Sequence, residues 1–125
     1  MNPEAFADRY IALWNEPDAA QREAAIAALW APDGSHHVRT QQARGYEALA
    51  RRVTGAYEKN VRDLGFRFQR AGAVQALHDS LMFHWHMVRP GQPQVEALGL
   101  EFLRLSADGR IETDYQFILP TPAAA

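Results

Sequence analysis

The sequence predicts an α+β domain in which helices from the first half pack on one face of a curved antiparallel sheet from the second half. Three observations carry this. Apolar residues recur at helical spacing in the first half, as in Phe6, Tyr10, Leu13 and Trp14. Beyond Gly65 the period changes to two, in Phe66-Arg67-Phe68, the run Leu81 to Val88, the run Val95 to Leu105, and Ile111 to Leu119. Short turns, Pro90-Gly91-Gln92-Pro93 and Ser106-Ala107-Asp108-Gly109, separate the last three runs and make them antiparallel neighbours.

The elements follow in order. Asn2 can cap a first helix that has Pro3 at its first position and Glu4 next, where acid suits the helix dipole. Glu16-Pro17-Asp18 breaks that helix, because proline disfavours helical geometry in the residue before it. Asp18 can cap a second helix running through Trp30, with Ile26, Leu29 and Trp30 on its buried side, and Pro32-Asp33-Gly34 stops it. Ser35 to about Arg39 is a short strand candidate. Gly45 opens a third helix with Tyr46, Leu49, Val53, Ala56 and Tyr57 on one stripe. Four strands complete the domain, expected over residues 1–119, with 120–125 (Pro-Thr-Pro-Ala-Ala-Ala) as a flexible tail.

Composition excludes several classes. At 125 residues and 47% hydrophobic content the chain suits one packed core. Its 13 basic and 15 acidic residues are mixed, and Arg51-Arg52 is the only adjacent basic pair, so a nucleic-acid partner is not expected. Zero cysteines exclude disulfides and thiolate chemistry, which fits a cytoplasmic location. Met1-Asn2-Pro3-Glu4 does not read as a leader peptide, and no run approaches membrane-spanning length. No Gly-x-Gly-x-x-Gly, phosphate-binding loop or zincin pattern is present, so no cofactor is expected.

The last strand poses the functional question. Alternation puts Arg110, Glu112, Asp114, Gln116 and Ile118 on one side and Ile111, Thr113, Tyr115, Phe117 and Leu119 on the other. Either the polar side faces water, or Asp114 points into a cavity of the kind a sheet leaves where it curls around a helix. Leu81, Phe83, Trp85 and Met87 face one way in their strand, and Met82, His84, His86 and Val88 the other. Leu100 and Phe102 alternate with Glu101 and Leu103. A sheet apolar on both faces needs cover outside, and a homodimer through the outer face supplies it.

Four strings, Arg9-Tyr10-Ile11-Ala12-Leu13-Trp14, Leu29-Trp30-Ala31-Pro32-Asp33-Gly34, Arg44-Gly45-Tyr46-Glu47-Ala48-Leu49 and Asp108-Gly109-Arg110-Ile111, lie in an order that resembles the nuclear transport factor 2-like superfamily. The likeness is to its SnoaL-like polyketide cyclase and ketosteroid isomerase branch. It implies a cone-shaped, cystatin-like fold, often dimeric, with a deep pocket in the concave face. It also implies that Tyr10 donates a hydrogen bond to a substrate oxyanion and that a protonated Glu101 shares this task. The position of the ketosteroid isomerase base is Val38, which cannot accept a proton. In the SnoaL-like cyclases the base is an acid on the last strand, where Asp114 stands.

Asp114 is therefore the candidate base or acid, with a pKa raised toward neutrality by burial. Tyr10 is a candidate donor to a carbonyl or enolate, or else a core tyrosine. His36, on the strand face of Val38, can assist Asp114 or Glu101 as a proton shuttle. His84 and His86 share a face but lack further ligands, so no metal site is expected. Trp14, Val38, Phe83 and Trp85 are expected to line the pocket, with Met87, Leu103, Gln116 and Ile118. The expected function is cofactor-independent proton transfer beside a carbonyl of a small apolar molecule, of isomerase, cyclase or dehydratase type. The alternative is a non-catalytic small-molecule-binding or dimerisation module.

Overall fold

The computed structural model describes residues 1–121, so positions 122–125 of the expected tail lie outside the described residues. Helices α1 (Pro3–Asn15), α2 (Ala19–Leu29) and α3 (Tyr46–Ala56) pack on one side of a six-stranded sheet. The strands are β1 (Trp30–Val38), β2 (Gln41–Arg44), β3 (Arg67–Leu77), β4 (Ser80–Val88), β5 (Val95–Leu105) and β6 (Ile111–Leu119), in the spatial order β2-β1-β6-β5-β4-β3. Neighbours run antiparallel except β1 and β6, which are parallel.

The expected caps form. Asn2 accepts from the Ala5 amide at 3.0 Å and Asp18 from the Gln21 amide at 3.1 Å, each satisfying an orphan donor of a first turn. The apolar stripe of α1 buries Phe6, Tyr10, Leu13 and Trp14 against the sheet. At its C-terminal end Asn15 imitates a strand: its side chain donates to the Phe68 carbonyl at 2.7 Å and accepts from the Phe68 amide at 2.9 Å. That pair of bonds ties α1 to the edge strand β3.

Several boundaries differ from the sequence reading. The second helix ends at Leu29, and Trp30 begins a strand that runs through Pro32-Asp33-Gly34 rather than stopping there. The break in alternation is taken up by a register shift between Trp30 and Ser35. Gly34 is needed at this point, because a Cβ would lie 2.6 Å from the Ile111 carbonyl oxygen and 2.8 Å from Cδ1 of Trp30. β2 was not foreseen; its polar Gln41-Gln42 carry no alternation, and only pairing with β1 defines it. After α3 the chain continues as a π-helical turn, Tyr57–Asp63. β3 extends far beyond Phe68 although its sequence is mixed, because β4 supplies its ladder.

β6 departs from simple alternation as well. A register shift opposite Arg104 and Leu105 inserts one residue, so Ile111 and Asp114 both face inward while Glu112 is exposed. Arg110 and Glu112 thus do not share the face of Asp114. Tyr115 and Phe117, at 42% and 52% exposure, lie on the outer face.

Candidate active site

Strand pairing assembles the polar cluster. His36 on β1 lies level with Asp114 on β6, Leu103 on β5 faces Asp114, and Glu101 is therefore one diagonal step away. α1 lays Tyr10 over these strands, its ring held between Trp14, Trp30 and Phe83 at centroid distances of 6.0, 5.7 and 5.5 Å. The Tyr10 hydroxyl lies 2.5 Å from Oδ2 of Asp114 and 3.1 Å from Oε2 of Glu101. Nδ1 of His36 approaches the same Oδ2 of Asp114 at 2.7 Å, and Nε1 of Trp85 donates to Oε1 of Glu101 at 2.9 Å. All four polar residues are shielded, at 0–1% exposure.

Gly99 makes the Trp85 contact possible. It pairs with Trp85 across β4 and β5, and a Cβ there would overlap the indole ring. The bare backbone lets the indole lie flat across β5 and reach the carboxyl two residues on.

Electrostatics separate the two carboxyls. Burial, and then the charge of Asp114, push Glu101 well above the usual carboxylate range. Burial also works against ionisation of Asp114, but His36 and hydrogen bonds from Glu101, His36 and Tyr10 outweigh it and hold Asp114 below its ordinary value. This is opposite to the direction expected from burial alone. Two adjacent carboxyls cannot both ionise cheaply, so the pair holds one proton, on Glu101, and one charge, on Asp114. Burial first, then both carboxylates, keep Tyr10 well above its usual value and hence protonated. A hydroxyl has one proton: Tyr10 donates it to Asp114 and accepts from the Glu101 acid.

Beside this cluster lies a largely apolar cavity of about 190 Å³. Tyr10 and Glu101 reach it, while Asp114 and His36 sit behind them. Of the expected wall residues, Trp14, Trp85, Met87, Gln116 and Ile118 line the cavity. Val38, Phe83 and Leu103 do not: Phe83 and Leu103 are wholly core, and Val38 lies past the cluster at the end of β1. The sequence reading missed Arg52, Ala56 and Asn60, which line the wall from α3 and the π turn. Their spacing of four was the available signal, since it continues the buried stripe of α3 toward its polar edge.

His36, Glu101 and Asp114 bring one ligand atom each within 4.8 Å of one another, the closest approach to a metal-binding set among the described residues. Their inner atoms are already engaged by Tyr10, Trp85 and each other. The two atoms without partners are Nε2 of His36 and Oδ1 of Asp114. The set reads as a proton-sharing network.

Residues 7–113 match the SnoaL-like domain family. The chain belongs to that family. Among solved structures, this SnoaL-like chain is similar to a SnoaL-like family protein of Agrobacterium tumefaciens str. C58 for which an isomerase activity has been suggested. The two share 25% identity over 94% of this chain and 97% of that one, with a TM-score of 0.85. A nuclear transport factor 2-like protein of unknown function from Exiguobacterium sp. 255-15 superposes with a TM-score of 0.71 at 21% identity, over 93% and 99% of the two chains. A protein of Sinorhizobium meliloti suggested to be a polyketide cyclase gives 0.68 at 12% identity, over 90% and 93%. The last two establish the shared fold. No curated protein matches this SnoaL-like chain. Among the described residues, no helix is long and apolar enough to cross a membrane.

Proposed function

We propose that this SnoaL-like protein is a small-molecule enzyme that moves a proton beside a carbonyl, without a cofactor, as in isomerisation, cyclisation or dehydration. The observation that carries the reading is the buried Asp114–Tyr10–Glu101 chain, whose Tyr10 and Glu101 ends open on an apolar cavity. Glu101 and Tyr10 are the groups that touch substrate. Asp114 stores the negative charge, and His36 orients it.

The geometry allows a balanced step. As Tyr10 passes its proton to Asp114 and takes the Glu101 proton, the charge moves to Glu101 at the cavity. The Glu101 carboxylate then removes the proton from the carbon next to the carbonyl, breaking that C–H bond and forming the acid. The electron pair moves onto the carbonyl oxygen, where the Tyr10 hydroxyl stabilises it. Return of the proton to a different carbon completes an isomerisation. The cavity is close in size to one known to accept benzene, which suits a single-ring or short branched ligand.

Deuterium exchange into aryl and alicyclic ketones, followed by proton NMR, tests this. The wild type should catalyse exchange, and Glu101→Gln should slow it about 100-fold or more. Absence of exchange across the panel would leave the non-catalytic binding module as the better reading. We also propose a homodimer through the outer sheet face, in a cytoplasmic setting. Leu100 and Phe102 there stand opposite the exposed Phe117 and Tyr115, which supports it.

A further inference from the structure

We propose that Arg52 is an anion-recognition residue and that the ligand carries a carboxylate in addition to its carbonyl. This rests on the cavity being the ligand site. Arg52 projects from α3 into the cavity wall, its guanidinium stacked 5.1 Å from the centre of the Trp14 ring. Among the described residues it makes no hydrogen bond and no ion pair, and its Nε is buried without an acceptor. Arg22, the buried arginine, is satisfied: it donates to the Glu16 carbonyl at 2.8 Å and lies over Tyr57.

The Nε–H of Arg52, buried in a wall that also holds Trp14, Phe68 and Trp85, is costly to leave without an acceptor. The planar fork of a guanidinium fits a carboxylate through two parallel hydrogen bonds. A depression next to the cavity shares Arg52 and Asn60 with it and adds Lys59 and Arg51, the latter ion-paired with Glu47, so Lys59 joins Arg52 as positive charge on that side. No carboxylate lines that depression. Tyr10 and Glu101, at 1% exposure, line the same cavity. A ligand held by both groups has an acid at Arg52 and a carbonyl at Tyr10: an oxo acid with a compact apolar body. The competing explanation is that Arg52 only offsets the charge of Asp114 through space. That role would not distinguish one ligand from another.

Quenching of tryptophan fluorescence, with Trp14 and Trp85 in the wall, reads binding without any turnover. The probes are phenylacetate and its neutral match, phenylacetamide. The wild type should prefer the acid by about 10-fold or more, as one charge-assisted pair implies. Arg52→Met, which keeps an unbranched apolar side chain in the wall, should lose that preference while binding the amide as before; Arg52→Lys should keep part of it. If Arg52→Met does not fold, Arg52→Gln carries the same comparison. A wild type that binds the two equally, or binds neither, overturns the proposal, as does a preference that survives removal of the guanidinium. Asp114→Asn should keep the preference even where exchange chemistry is lost. Failure of the catalytic reading therefore leaves this result intact, and a preference that vanished in Asp114→Asn would count against Arg52.

Discussion

Glu101 and Asp114 carry opposite pH signatures although they share one hydroxyl. The folded-state value of Glu101 lies above its ordinary 4.5, because burial and then Asp114 oppose its ionisation. Folding therefore favours the protonated acid. Above 4.5 the unfolded chain releases that proton first, so the contribution of Glu101 to stability declines as pH rises and is gone above the folded-state value. For Asp114 the sign is reversed: its folded-state value is below 3.8, so its contribution is present above that point and is lost as acid protonates it. The thermal stability of the wild type should decline as pH rises above the ordinary carboxylate value of 4.5, and Glu101→Gln should flatten that decline. An equal slope in both proteins would show that Glu101 is not the buried acid. At this scale the inward face of Tyr10 was legible from the helical period, whereas the strand period left Asp114 open between water and cavity and the resemblance supplied the inward reading. The protonated Glu101 came from the resemblance and not from periodicity; that Asp114 is held ionised was not legible, because that depends on His36, which is distant in sequence and adjacent only through strand pairing.

The sheet positions the site through two local irregularities. The extra residue at Glu112 rotates β6 so that Ile111 and Asp114 both enter the core, a shift that a strict period of two cannot express. Gly99 removes a side chain where the Trp85 indole must cross β5. Gly99→Ala should displace that indole, break its bond to Oε1 of Glu101, and destabilise the fold by about 1–3 kcal/mol, the usual cost of overpacking. A tryptophan emission spectrum identical to wild type, with unchanged thermal stability, would contradict this account. Gly99 lies within the run Val95 to Leu105, where the sequence singles out nothing about it. The need for glycine there was not legible, because Trp85 belongs to another strand and only the register places the two face to face.

Over the whole molecule, the parallel pairing of β1 with β6 is the join that unites the two halves of the chain. It brings His36 beside Asp114 and closes the sheet beneath α1. The inner face of that sheet is occupied by helices and the cavity, whereas the outer face presents Leu98, Leu100, Phe102, Tyr115 and Phe117. Exposed aromatics joined to an apolar strand surface call for a partner. Sedimentation velocity at ~20 μM should find a dimer, and Phe117→Asp should convert it to a folded monomer by burying a charge at the interface. A monomeric wild type at that concentration would count against the outer-face dimer.

Periodicity and capping residues, which act over a few neighbours, were enough to specify three helices, the change to strands after Gly65 and the inward face of α1, while the inward turn of Asp114 was one of two readings that alternation left open. The resemblance of four short strings added the family. Only the folded chain decided the parallel join, the bulge at Glu112, the division of the cluster into Tyr10 and Glu101 at the cavity with Asp114 and His36 behind, and the arrival of Arg52 in the wall. Those features are contacts between residues tens of positions apart. Their energies depend on which groups are brought out of water together, and no local pattern of residues encodes that.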